Sequence, residues 1–283
     1  MYEKANESQL ASFDLAATSR TAILENIPLP EYQPGVAEEV ASFKFLNGIL
    51  ISLDITYSIT AGTAPRLLHY HSTVLASNSQ TQLEDIIACK NWVMLQIGRI
   101  AALYDQKTQA LRQGLFDCTG FGRAVEDISR EIQRGSDQGS LERVEISKAE
   151  FGTSPSMLDT ALVTQIFAYM ASIYLHLVSR GFQSLEVLDT AISEVITMLK
   201  TEVPSRLLPA LIFPLFIIGS VSNQEDQSLF RHIFSSPTVL NPLMKHRERI
   251  LAILEDIWSR RENYPSFAWE DALDQHTSNI LLV

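Results

Sequence analysis

Residues 207–218 read Leu-Leu-Pro-Ala-Leu-Ile-Phe-Pro-Leu-Phe-Ile-Ile, twelve apolar residues in a row closed by Gly219. A segment apolar on every side has no face to offer solvent, so the rest of the chain must be able to enclose it. As a helix it would span about 18 Å, short of the roughly 30 Å hydrocarbon core of a bilayer. Ionisable residues flank it closely, and a membrane span is not expected of it. Pro209 fits a first helical turn, where its missing N–H costs nothing. Pro214 is expected to kink the helix or end its first part, freeing a carbonyl near Ala210. Such a helix is either plain core or the wall of a cavity.

The chain is long and apolar enough to enclose it: 283 residues, 46% hydrophobic and 19% charged, fit one large domain or two intimately packed halves. The net charge of −11 argues against these residues gripping a nucleic-acid backbone by themselves, so no direct nucleic-acid partner is expected. Two cysteines, Cys89 and Cys118, supply neither a disulfide framework nor a zinc cluster, and they suit a reducing, intracellular compartment. No apolar leader follows Met1, so secretion is not expected.

Residues 1–35 read as an N-terminal segment and a Pro-rich linker. Leu10–Leu24 can form a helix, and Pro28, Pro30 and Pro34 then enforce extended chain. Residues 36–283 read as one helical domain. Val40, Phe43, Leu46, Ile49, Leu50, Leu53 and Tyr57 recur at helical spacing, predicting a long, mostly buried helix that ends in the loop Thr60–Pro65. Thr81-Gln-Leu-Glu84 has the form of a capping box opening one helix that runs through Ile86, Val93, Ile97 and Tyr104. A narrow stripe of Val125, Ile128 and Ile132 marks a surface helix, and Gly135–Ser140 reads as a mobile loop. Ser154-Pro155 starts and Gly181 stops a broadly apolar helix. Ser184 is expected to cap the next one, and Asn223 a short one after the apolar run. Asn241-Pro242 opens a last helix of about twenty residues, one side of which, from Lys245 to Arg261, reads as a solvated face. Trp269 and Ile280–Val283 close the chain against the core. No stretch alternates with period two, so the fold class is all-α, with nine or ten helices.

Four stretches in this order resemble the regulatory domain that follows the DNA-binding zinc cluster in fungal zinc-cluster transcription factors, in its second class. They are Ala41-Ser-Phe-Lys-Phe-Leu through Leu53-Asp54-Ile55 and the Thr60–Pro65 loop; Asp85-Ile-Ile-Ala-Cys-Lys-Asn-Trp-Val-Met94; Ala171-Ser-Ile-Tyr-Leu-His176 with Arg180-Gly181 and on to Leu211–Gly219; and Leu254–Arg261 with Trp269-Glu-Asp-Ala-Leu273. The resemblance covers roughly residues 40–283. It implies an all-helical regulatory domain, some members of which hold a hydrophobic effector such as a sterol inside the bundle. The zinc cluster and the family's earlier helices are missing here. The chain is then either a regulatory fragment, working in the nucleus, or a short stand-alone relative in the cytoplasm; the start at Met1 favours the second.

Candidate chemistry is sparse. Asp54 lies within an apolar helix and must be paired, with a loop N–H or Arg66 as structural partners, or else meet a ligand. His69 and His71 are the one close histidine pair; two apart on a helix they point about 200° apart and cannot share a metal. Asp54, His69 and His71 are the candidate acid–base residues, and no metal or cofactor is expected. Phe213, Phe216 and Ile217, faced by Phe167, Met170 and Tyr174, are candidate cavity walls or ordinary core, and Tyr57 and His176 complete the candidate ligand set. Three functions follow. The first is a module binding a hydrophobic small molecule. The second is a cofactor-independent cyclase, isomerase or pericyclase in fungal secondary metabolism, which needs mostly shape and would leave no motif. The third is an interaction domain that homodimerises through an apolar helix face.

Overall fold

The computed structural model describes residues 34–76, 81–148, 155–241, 244–264 and 266–273. The readings placed on Leu10–Leu24, Pro28, Pro30, Ser154, Pro242, Leu243 and Ile280–Val283 lie outside the described residues. Two compact units divide the chain, Met1–Lys44 and Phe45–Val283. Of the first, residues 34–44 are described, and they are helical.

Among the described residues there are eleven α-helices and no strand, so the chain is all-α. They are α1 (Pro34–Ala61), α2 (Leu68–Val74), α3 (Glu84–Ile87), α4 (Asn91–Gln113), α5 (Cys118–Lys148), α6 (Pro155–Arg180), α7 (Asp189–Thr201), α8 (Ile212–Val221), α9 (Gln227–Phe234), α10 (Glu248–Asn263) and α11 (Trp269–Leu273). Three 3-10 turns precede α7, α8 and α10, at Leu185–Leu188, Ser205–Leu211 and Lys245–Arg247.

The helix at the centre is α6. It packs on α4, α5, α7 and α8, and from Leu162 to Val178 nearly all its residues are buried, Thr164 and His176 included. Gly181 ends it at φ +64°, a conformation glycine takes without steric cost, and Lys107 Nζ donates to the Val178 carbonyl at 2.7 Å.

The apolar run divides. Its first five residues belong to a 3-10 turn in which Leu207, Leu208 and Pro209 are half-buried and Ala210 is exposed. Full burial begins at Leu211, and every residue of α8 is buried. Pro214 therefore lies in the first turn of α8, where it breaks no helical hydrogen bond. The break expected at Pro214 falls at Leu211–Ile212 instead, and the helix runs on from there.

A helix with no solvent face needs its end groups satisfied from outside. The Gly219 carbonyl accepts from Trp258 Nε1 at 2.7 Å and from Ser222 Oγ at 2.8 Å, and the Ser220 carbonyl accepts from Arg261 Nη1 at 2.6 Å. Both Trp258 and Arg261 come from α10, which closes the C-terminal end of α8.

Several expectations are corrected. Helix α1 is not mostly buried on its large residues: Phe43, Leu46, Leu50 and Tyr57 are exposed, Leu46 and Leu50 to 56%. Its inward side carries Ile51, Ile55 and Ile59 together with Ser52, Thr56, Ser58 and Thr60. The Ser52 and Thr56 hydroxyls return to carbonyls one turn back, at 2.8 and 2.7 Å, which makes these polar residues self-sufficient inside. Pro34 opens this helix, at a position where it is tolerated, and does not extend a linker.

The single helix expected after Thr81 is two, since Ala88 takes φ +55° and Lys90 is extended. Helix α3 starts only at Glu84, so its N-cap position falls on Leu83 and not on Thr81. The Leu83 N–H donates to Asn91 Oδ1 at 2.8 Å, while Asn91 Nδ2 donates to the Thr81 carbonyl. Gly135–Ser140 is no loop: it lies inside the 31-residue α5. There the missing side chain lets Trp92 approach, for a Cβ on Gly135 would lie 2.5 Å from the indole. Ser184, at φ +54°, makes no side-chain cap, and the last long helix starts at Glu248 and has 16 residues. Asn223 Oδ1 accepts the Asp226 N–H at 3.0 Å and so shapes the turn before α9.

Among the described residues, two helical stretches are long and apolar enough to cross a membrane, Ser156–Arg180 and Glu38–Ala61. The first is 72% buried and the second 28%. The helix that carries the second part of the apolar run, α8, is only ten residues long.

Candidate functional site

Asp54 projects from α1 beside the loop that leads into α2. Its Oδ1 accepts the Arg66 N–H at 3.0 Å and its Oδ2 the Leu67 N–H at 2.8 Å. These are the last amides before α2, so the carboxylate serves as a cap from outside, meeting free donors at the positive end of the helix. The backbone of residue 66, more than its guanidinium, is the partner, as one of the structural readings of Asp54 requires.

Oδ2 also lies 3.4 Å from Nε2 of His71, a distance for charge interaction more than for a hydrogen bond. The His71 side chain is sealed, with no exposure, while Asp54 keeps 12%. Burial lowers the His71 pKa and the Asp54 carboxylate opposes that shift less strongly. The ring stands against α4, where a Cβ on Gly98 would come within 3.1 Å of Nδ1. His69 lies on the exposed side of α2, its ring 3.9 Å from that of Tyr70. The structure thus brings Asp54 and His71 together and leaves His69 facing away. A cavity of about 330 Å³ takes walls from Asp54, Tyr57, Arg66, Asp105 and Gln109. A substrate there would meet a carboxylate whose two oxygens are already engaged.

The candidate cavity walls lie in the core. Phe167 and Phe213 face each other across α6 and α8 with ring centroids 6.1 Å apart, and Met170, Phe216 and Ile217 are buried. Tyr174 is fully buried, with its ring 6.2 Å edge-on from Trp269. Burial raises its pKa, and neither its hydroxyl nor Trp269 Nε1 has a hydrogen-bond partner among the described residues. His176 is a satisfied histidine: its Nε2 lies 2.8 Å from the Gln183 carbonyl, holding the turn after α6. Among the described residues no three His, Cys, Asp or Glu side chains converge as a metal would require.

One site escaped the sequence reading. The charged side from Lys245 to Arg261 was expected to be solvated, yet Arg247, in the turn before α10, is buried and Arg261 turns inward. Besides the Ser220 carbonyl, Arg261 Nη1 reaches the Ser222 carbonyl at 3.3 Å, and the guanidinium lies 5.4 Å over the Phe182 ring. Burial lowers its pKa to about 10. It borders a cavity of about 190 Å³. The only signal in the sequence was its place three residues after Trp258, on the edge of the apolar side of α10.

The sequence is matched along most of its length by a family model. The model of the fungal specific transcription factor domain matches residues 30–283. The chain belongs to that family. Curated proteins similar to it are transcription regulators. The Pestheic acid cluster transcriptional regulator 3 of Pestalotiopsis fici is 38% identical over 289 residues, covering 100% of this chain and 50% of the regulator. The transcription factor dibT of Pestalotiopsis microspora is 29% identical, over 84% of this chain and 40% of its own length. The trichothecene biosynthesis transcription regulator TRI10 of Fusarium sporotrichioides is 25% identical, over 87% and 56%. The chain spans about half the length of the curated relatives it matches. No solved structure matches this fungal transcription factor domain.

Proposed function

We propose that this chain is the regulatory part of a pathway-specific transcription regulator for fungal secondary metabolism, acting in the nucleus without touching DNA itself. The observation that carries this reading is the match along 100% of the chain to half of a biosynthetic-cluster regulator. The net charge of −11 agrees with it, since a phosphate backbone would be repelled. Fused to a heterologous DNA-binding domain, the chain should raise or lower a reporter relative to that domain alone. A reporter left unchanged would sink the regulatory reading. Specific retention of duplex DNA by the isolated chain at physiological salt would sink the division of labour.

In its finer form this reading includes a hydrophobic effector held in the core against α6. What supports it is the orphaned pair in the core, the Tyr174 hydroxyl and Trp269 Nε1, to which an effector oxygen would supply the missing partner. The walls are closed on one another, so uptake requires the core to open. Native mass spectrometry after exposure to a lipid extract tests this, and the absence of any co-purifying hydrophobic molecule removes it. Catalysis by Asp54, His69 and His71 has less behind it, because His71 is sealed and His69 faces away.

A further inference from the structure

We propose that the cavity between the end of α8, the start of α9 and the end of α10 is a binding site for a small aromatic carboxylate, held by Arg261. The cationic side chains around it are otherwise spoken for. Arg231 pairs with Glu255 at 3.1 Å and Arg260 with Asp256 at 3.6 Å. Arg261 has no carboxylate within ion-pair distance among the described residues. Its bonds to Ser220 and Ser222 both use Nη1. Nη2 and Nε are left without a protein acceptor among the described residues, and these two nitrogens form the edge that grips a carboxylate with two parallel bonds.

Two side-chain amides lining the cavity, those of Asn223 and Gln227, also present donors. Asn223 spends its Oδ1 on the Asp226 N–H and Gln227 spends its Oε1 on Arg231, at 3.0 and 3.4 Å, so each amide has its NH₂ to offer. Together with Arg261 these donors suit an acceptor-only group, which is what an ionised carboxylate is. Four of the lining residues are aromatic, Phe182, Trp258, Tyr264 and Phe267, with Phe182 stacked on Phe267 at 5.1 Å and 10°. A flat ring therefore completes the ligand. About 190 Å³ is below the roughly 300–1,000 Å³ of drug-sized sites, which limits it to one ring or a little more. The exposed Glu262 is the one carboxylate lining the cavity, and it disfavours anions there.

Benzoate is the probe, with benzamide as its uncharged counterpart, titrated into the purified chain by calorimetry or NMR near neutral pH. Benzoate should saturate the site and benzamide should bind roughly tenfold or more weakly, the value of a charge-assisted pair. Arg261→Gln should weaken benzoate by a similar factor. Because Arg261 also caps α8, Glu262→Gln carries the test independently: it should tighten benzoate about two- to fivefold, the scale of an exposed charge interaction, and leave benzamide unchanged. Equal affinity for the two probes, no saturable benzoate binding at millimolar concentration, or a Glu262→Gln variant with unaltered benzoate affinity would each overturn the proposal. Binding is read on the protein alone, so its failure leaves the regulatory reading untouched, and a silent reporter leaves this one untouched.

Discussion

Helix α5 offers a test in which one substitution has opposite signs at two positions four residues apart. Glycine inside a helix costs about 0.5–1 kcal/mol relative to alanine, through the freedom it loses on folding. At Gly139, as at Gly122, nothing lies within 4 Å of where a Cβ would stand. Gly139→Ala should therefore gain about 0.5–1 kcal/mol, roughly 1–4 °C in a domain of this size. At Gly135 the same Cβ would meet three atoms of the Trp92 ring at 2.5 to 2.7 Å. An indole is a rigid plate, and moving it means shifting the seam where α5 crosses α4 and α6. Overpacking of this kind costs about 1–3 kcal/mol, which outweighs the helical gain. Gly135→Ala should thus lower the melting temperature by roughly 1–8 °C, and Trp92→Leu should remove most of the penalty when the two are combined. Thermal unfolding by circular dichroism compares the parent with Gly139→Ala, Gly135→Ala, Trp92→Leu and the double variant. If Gly135→Ala stabilises as much as Gly139→Ala, the close approach of Trp92 is wrong.

Asp54→Ala strips the cap from α2 and leaves two loop amides unmet; a loss of about 2–4 kcal/mol in chemical denaturation is expected, with Asp54→Asn recovering part of it. Stability should also fall with acid through His71. Above pH 6.5 its ring is neutral folded and unfolded alike; as the pH drops below that, the unfolded chain takes the proton first because burial holds the native pKa lower, and the fold weakens. Melting temperatures between pH 8 and 5 should decline less steeply for His71→Gln, and parallel curves would dismiss this assignment. Along α1, Ile55→Ala should cost about 2–5 kcal/mol while Leu50→Ala stays within about 0.5, the reverse of what equal hydrophobicity would give.

What the sequence made legible follows from how each residue spends its bonds. The period of α6, its start at Pro155 and its stop at Gly181 are backbone matters, and they were readable. So was the parting of His69 from His71, which helical geometry alone dictates. Asp54 was read correctly in one respect, since a charge amid Leu53 and Ile55 had to have partners, and loop amides were among those named. The exposed side of α1 was not readable, because Ser52 and Thr56 conceal their polarity by bonding to their own helix. Gly135–Ser140 mimics a loop in composition, yet its smallness is what another helix needs. Arg261 reads as surface charge because nothing local shows where a six-bond side chain will point.

Synthesis order gives α8 a further consequence. Its ten residues leave the ribosome with no side fit for water, and the Trp258 indole that closes Gly219 lies 39 residues further on. Until α10 has been made, the nascent chain must carry a greasy segment with open carbonyls at its end. That interval is an invitation to chaperones and to aggregation, and translation speed between residues 221 and 258 becomes a variable in the yield of folded protein.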